Sequence, residues 1–464
     1  MKKTQIEKIY ENYEDFTGQS LLVCGWIRSL RSSKNIGFIT LGDGSCHRTL
    51  QIVFKEELKN FDEISRLGVG SSIGVTGILV ATPKAKQPFE LHANNISIYG
   101  ESPSDYPLQK KKHSLEFLRT IAHLRPRTNT FLAVFRIRSN ASLAMHRFLQ
   151  EDGFNYIHTP IITSSDAEGA GEVFTVTDFN LEKIPKTDQN EKVDFSKDFF
   201  GKHAMLTVSG QLQAECMAMA LSKVYTFGPT FRAENSNTQR HAAEFWMLEP
   251  EVAFANLNDM IELSSRLVKY VVKSTLESCE YDLEFLAKTY DESLISRLEK
   301  TTDEDFEVID YTKAIDLLLK SGHNFEYGVE WGRDLQTEHE KYLSQTVFGK
   351  PIFVTDYPKD IKAFYMRQNG DGKTVAAMDM LFPSIGEIVG GSQREERLDI
   401  LCERIKELGL KEKNYWWYLD LRRYGSVEHA GFGLGFERLI MYLTSLTNIR
   451  DVLLFPRTVK NADF

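Results

Sequence analysis

From Leu21 to about Ser97 the chain is written in short apolar runs, LLVCGWIRSL, IGFITL, LQIVF, SSIGVTGILVA and LHANNISIYG, each cut off by turn residues. Several such runs at regular spacing, separated by turn signals, predict a small all-β barrel. The turn LGDGS, Leu41 to Ser45, carries the Asp-Gly chemistry of a hairpin. Farther on the period changes. Val134, Ile137, Ala141, Ala144 and Phe148 recur at helical spacing, the helix stops at EDGF, and a strand-like run ending IHTPIIT follows. A switch from barrel strands to an amphipathic helix predicts at least two domains, and 464 residues with 42% hydrophobic content supply a core for each.

The expected organisation is an α+β multidomain chain. Residues 1–101 hold the barrel, of the OB-fold kind. Residues 102–130, SPSDYPLQKKKHSLEFLRTIAHLRPRTNT, carry three prolines and a lysine run and read as a hinge or linker. Residues 131–464 form the second domain, with a charged, mostly helical passage near 257–328 that reads as an insertion. The formal charge of −9 speaks against indiscriminate nucleic-acid binding, while leaving room for local basic patches. Five scattered cysteines without a C-x-x-C pair point to a reduced, cytoplasmic protein without structural zinc. The start MKKTQIEKIYENYEDF has no apolar core of a signal peptide, and no run of about 18 apolar residues would span a membrane.

Three segments invite a chemical reading. NGDGKT, Asn369 to Thr374, ends like a phosphate-binding loop, but Arg367 stands where that motif needs its first glycine, so a hairpin turn is expected. HAGFGLGFERL, His429 to Leu439, is glycine-rich without the third Rossmann glycine or a βαβ order. Its glycines let a ligand approach the backbone closely. TFRAENSNTQRHAAEFWMLEPE, Thr230 to Glu251, sets arginines, a histidine and aromatics among glutamates. Taken alone it is compatible with a solvated charged helix.

Together the helix–strand pair, the charged stretch and the glycine-rich segment resemble the three signature motifs of class II aminoacyl-tRNA synthetases. The helix and strand ending at Pro160 match the first, which in that family forms a dimer interface. Arg232, Glu234, His241 and Phe245 match the second; Gly431, Gly433, Gly435, Glu437 and Arg438 match the third. The resemblance implies an antiparallel catalytic sheet flanked by helices, ATP and Mg2+ as requirements, tRNA as partner and a homodimer. It implies that Arg232 bridges the substrate carboxylate and the α-phosphate, while Arg438 and His241 hold the γ-phosphate. Phe245 would stack on adenine, Glu234 would accept from its amino group, and Gly435 would admit the nucleotide. Planar, permanently charged guanidinium groups suit such phosphate contacts. Asp379 and Glu387 supply hard oxygens for magnesium, although the spacing back to Asp379 differs by one residue from aspartyl enzymes, and a strand-end turn residue is the alternative.

Across essentially the whole chain, LTVSGQLQAE, GEIVGGSQREERLDI, GFGLGFERLIMYLT and NIRDVLLFPRT resemble the bacterial asparaginyl-tRNA synthetases. Where aspartyl enzymes place a lysine for the substrate carboxylate, this chain has Ala214 with Glu215 beside it. The resemblance therefore implies an amino-acid site of Glu168, Ser209, Gln211, Glu215 and Arg394, with Glu215 and Arg394 reading a carboxamide. On the barrel it implies that Phe38 stacks on the central anticodon base of tRNA(Asn) while Arg31 and Gln51 bond to base edges. From the residues alone, Phe38 is equally a barrel-core ring and Arg28, Arg31 and Lys34 edge-strand cations. An aspartyl enzyme, a related asparagine synthetase without the barrel, and a catalytically silent RNA-binding paralogue are the rivals.

Overall fold

The computed structural model describes every residue except Met1, Lys86, residues 166–171 and 188–190, and Asn237. Contacts divide the chain into two compact units, Met1–Phe135 and Arg136–Phe464.

In the first unit five strands close a barrel: β1 (Ser20–Ser32), β2 (Ile36–Gly42), β3 (Leu50–Lys55), β4 (Ser72–Ala81) and β5 (Phe89–Gly100), in the order β1-β2-β3-β5-β4. Period-two alternation sends Ile39, Leu41, Ile52, Phe54, Val75 and Leu91 into a dry interior. Gly37 is needed where it stands, since a Cβ there would lie 2.1 Å from the Phe54 ring. The helix Ile6–Glu11 closes one end with Ile6 and Ile9. The segment expected to be a hinge is structured instead. It forms the helix Leu115–Thr120, capped by Ser114, and Leu108 and Leu118 bury themselves with Phe131.

Among the described residues, the second unit is built on an eight-stranded main sheet, three short strands and their helices. In chain order the strands are β6 (Asn155–Tyr156), β7 (Ile162–Thr163), β8 (Thr175–Val176), β9 (Ala204–Leu206), β10 (Lys223–Phe231), β11 (Glu244–Ala253), β12 (Glu307–Asp310), β13 (Ile352–Pro358), β14 (Thr374–Phe382), β15 (Gly386–Gln393) and β16 (His429–Gly435). The main sheet runs β12-β13-β14-β15-β16-β11-β10-β6, antiparallel except for its two outermost pairs. A separate small sheet has the order β7-β9-β8. The passage expected as a helical insertion begins with the helix Leu257–Ser278, whose capping box pairs Asn256 with Asp259 and whose apolar face carries Leu263, Leu267 and Val271. It also contains β12, which adds an edge strand to the main sheet, so this passage is partly integral to the domain. NGDGKT is a turn, as its residues predict: Asp371 accepts from the backbone N–H groups of Lys373 and Thr374, and Gly372 has φ +68°.

Candidate active site

Two antiparallel contacts bring the glycine-rich strand and the charged hairpin together. β10 pairs with β11 from Lys223↔Val252 to Phe231↔Glu244, and β11 in turn pairs with β16, Met247 opposite Gly435 and Glu251 opposite Gly431. Strand alternation puts Phe245, Met247, Glu249 and Glu251 on one face of β11. The glycines of β16 keep that face open. A Cβ at Gly433 would stand 2.4 Å from the Met247 methyl, and one at Gly431 2.3 Å from the Glu251 carboxylate.

Over this floor lie two adjoining pockets. The first is lined by Arg232, Glu234, Arg240, His241, Phe245, Glu387, Gly435 and Arg438 among others. Every residue expected to touch the nucleotide is therefore in one cavity. The Arg232 guanidinium lies 5.5 Å from the Phe245 ring centroid. Arg438 Nη1 donates to the Glu387 carbonyl at 2.9 Å and to its carboxylate at 3.1 Å. Burial, with Arg438 and Arg240 close by, lowers the His241 imidazole from its ordinary value.

The second pocket is lined by Ser209, Gln211, Glu249, Lys362, Tyr365, Asp379 and Arg394, and it shares Arg232, Met247, Glu387 and Gly433 with the first. Arg394 is buried: Nε and Nη2 both donate to Glu251, and Nη1 donates to Ser392 Oγ at 2.7 Å. Glu249 accepts from Ser209 Oγ, from the Gly210 N–H at 3.0 Å and from Thr226 Oγ1 at 3.3 Å.

Glu215 departs from expectation. It is fully buried and is not among the residues lining the second pocket. Oε1 accepts from Tyr418 Oη at 2.9 Å and Gln211 Nε2 at 3.1 Å; Oε2 accepts from Arg422 Nη2 at 2.9 Å and has His429 Nε2 at the same distance. A carboxylate offers about four lone-pair sites, and these neighbours occupy them. Glu215 is therefore in no position to accept from a substrate carboxamide. Glu168 lies outside the described residues.

Glu387 and Asp379 converge over Gly390, where a Cβ would meet Glu387 Oε1 at 2.9 Å and Asp379 Oδ1 at 3.4 Å. Burial raises the Asp379 carboxyl; Lys362, bonded at 2.8 Å, opposes this and Glu387 adds to it. Desolvation works against charge on the part-exposed Glu387, but Arg438, Lys362 and Arg240 outweigh it and hold its carboxyl low. Two hard carboxylates this close repel each other, and a divalent cation would relieve that repulsion.

Sequence reading overlooked two contributors, Glu249 and Arg240, and left the role of Glu437 open. Glu249 shares the strand face of Phe245, and period-two counting from Phe245 would have found it. Arg240 lines the first pocket and donates to Thr337, and to Glu340 at 3.5 Å. Glu437 is buried and structural: it receives Arg138 Nη2 at 2.7 Å and the Trp246 N–H at 2.9 Å.

On the barrel, β2 alternates with Ile39 and Leu41 buried and Phe38 on the opposite, outer face, which removes the barrel-core alternative for that ring. Arg31 is paired with Phe38 across β1 and β2, its guanidinium 5.1 Å from the ring centroid. Gln51 stands opposite Thr40 and donates to Glu90 at 3.1 Å. Arg28 is turned to the Arg127 carbonyl and to Asn129 Oδ1, 2.9 Å away.

Residues 114–459 match the family described as tRNA synthetases class II (D, K and N), and residues 21–99 match the OB-fold nucleic acid binding domain. The chain is 60% identical over 464 residues to an asparagine–tRNA ligase of Clostridium tetani, covering all of both chains. A second such ligase, from Acetivibrio thermocellus, is 61% identical over 465 residues, again with both chains fully covered. Among solved structures, the asparaginyl-tRNA synthetase of Pyrococcus horikoshii complexed with asparaginyl-adenylate superposes with a TM-score of 0.87 at 34% identity, covering 99% of each chain. With its barrel, its antiparallel catalytic sheet and its two adjoining pockets, this chain belongs to the class II aminoacyl-tRNA synthetases, in the asparagine–tRNA ligase family.

Proposed function

We propose that this enzyme activates L-asparagine with ATP to asparaginyl-adenylate and passes it to the 3′ end of tRNA(Asn), in the cytoplasm and as a homodimer. The observation that carries the reading is the shared wall of the two pockets, Arg232 and Glu387 standing where a nucleotide's α-phosphate and an amino acid's carboxylate would meet. Activation is an in-line attack of carboxylate on that phosphate. Arg232 offsets the charge of both anions, and Arg438, Arg240 and His241 line the phosphate end. Phe245 supplies an aromatic face for adenine and Glu234 an acceptor for its amino group. Glu387 and Asp379 would hold Mg2+, which when bound neutralises phosphate charge and fixes phosphate geometry.

For the side chain, Glu249 and Arg394 replace the pair expected from sequence. The glutamate accepts from the carboxamide NH2 and the arginine donates to its oxygen. Arg394 keeps its charge compensated by Glu251, so the pocket offers a donor without a free positive charge for aspartate. Phe38, Arg31 and Gln51 form the anticodon-reading face. Exposed Leu143, Tyr156, Ile161 and Ile162, on the first motif's helix and the chain after it, support the dimer.

The test is exchange of labelled pyrophosphate into ATP with asparagine and aspartate side by side. Exchange with asparagine alone is expected, and equal exchange with aspartate would overturn the specificity.

A further inference from the structure

Glu215 lies four residues after Gln211 on the helix Gln211–Leu221, so the two side chains share a helix face. Gln211 lines the amino-acid pocket; Glu215 sits behind it. An amide can present either its oxygen or its NH2 to a ligand, and these differ by a simple flip. Here the flip is decided from behind. Burial works against charge on Glu215, but Arg422, His429 and Arg394 outweigh it and hold the carboxyl below its ordinary range. An ionised carboxylate only accepts, so the nitrogen of Gln211 must face it, at 3.1 Å, and the Gln211 oxygen is left for the pocket.

We propose that Glu215 is a positioning residue that locks the Gln211 amide with its carbonyl oxygen toward the amino acid, presenting an acceptor for an N–H group of the substrate. This rests on the amino-acid pocket assigned above. The lock is itself rigid, because Tyr418 and Arg422, both on the helix Trp416–Arg423, clamp the carboxylate, and Arg422 Nε donates to the Glu395 carbonyl at 2.9 Å. Asparagine has two sources of such N–H groups, its α-ammonium and its carboxamide.

Because Glu215→Gln alone strands the buried Arg422 charge, the test uses the balanced pair Glu215→Gln with Arg422→Met, the single Gln211→Met, and all three together. Pyrophosphate exchange and thermal unfolding are measured on each. The asparagine KM is expected to rise about 10- to 100-fold in both the pair and the single variant, the worth of a hydrogen bond to a charged or well-held group. The ATP KM should stay within about threefold. The triple variant should be no worse than Gln211→Met, because Glu215 acts through Gln211. Multiplying effects, or an ATP KM that rises with the asparagine KM, would overturn the proposal. So would an unchanged asparagine KM in Gln211→Met, a variant whose fold does not depend on the buried pair.

Succinamate, which lacks the ammonium, separates the two N–H sources as a competitive inhibitor. Unaltered inhibition of the variants assigns the contact to the ammonium, and inhibition weakened in parallel with asparagine assigns it to the carboxamide. Failure of the parent enzyme to exchange with asparagine at all would instead refute the functional reading on which this rests.

Discussion

Substituting Glu249→Gln tests how the pocket rejects aspartate. Glu249 is the carboxylate of the Phe245 strand face that lines the pocket proposed for the amino acid, and Arg394 in the same pocket is ion-paired with Glu251. Aspartate in the asparagine pose would set a second carboxylate against Glu249. Two like charges about 4 Å apart cost on the order of 4 kcal/mol at an effective dielectric near 20, roughly a thousandfold in relative kcat/KM. Glutamine keeps the shape and can keep the internal contacts: its oxygen accepts from the Gly210 N–H and Thr226, while its NH2 donates to Ser209 Oγ. The fold should therefore survive, with a melting temperature within a few degrees of the parent. Pyrophosphate exchange with both amino acids should show the asparagine-over-aspartate ratio falling by about two to three orders of magnitude. Asparagine activation should itself weaken, because one acceptor for the carboxamide is lost. An unchanged ratio in a folded variant would refute the charge argument and place discrimination outside Glu249.

Arg438→Ala and Arg232→Ala should each lower the exchange rate by at least about 10²- to 10³-fold; both side chains are partly exposed, so unchanged unfolding curves should accompany the loss. Phe38→Ala should spare exchange and weaken tRNA charging by roughly 1–3 kcal/mol, the worth of stacking on one base. Equal loss of both activities would show that the ring is structural. For His241, burial and the neighbouring arginines lower the free imidazole from its ordinary value, whereas a bound phosphate favours the protonated ring. ATP binding should thus take up a proton, and its affinity should rise as pH falls through the bound-state pKa and level off below the lowered free value. Calorimetry in two buffers of different ionisation heat checks this, and His241→Asn should remove it.

Much of this was legible from local pattern. The barrel followed from short runs of period two, and the same period puts Phe38 out of phase with Ile39 and Leu41. Residue spacing also placed Arg232, Glu234, His241 and Phe245 on one hairpin, because β10 and β11 pair in unbroken register, and it made NGDGKT a turn. The choice between glutamates was not legible. Glu215 sits beside the position where a relative holds a substrate-binding lysine, and nothing nearby in the chain marks it as buried and occupied. Its partners Tyr418, Arg422 and His429 arrive from more than 200 residues away. Glu249, by contrast, reaches the pocket because β16 brings glycines beneath the face of β11 on which it stands. Side-chain period is a property of the strand or helix itself and can be read from sequence. Whether a carboxylate meets a ligand or is consumed by an arginine depends on which distant elements pack against that face, and only the tertiary structure decided it.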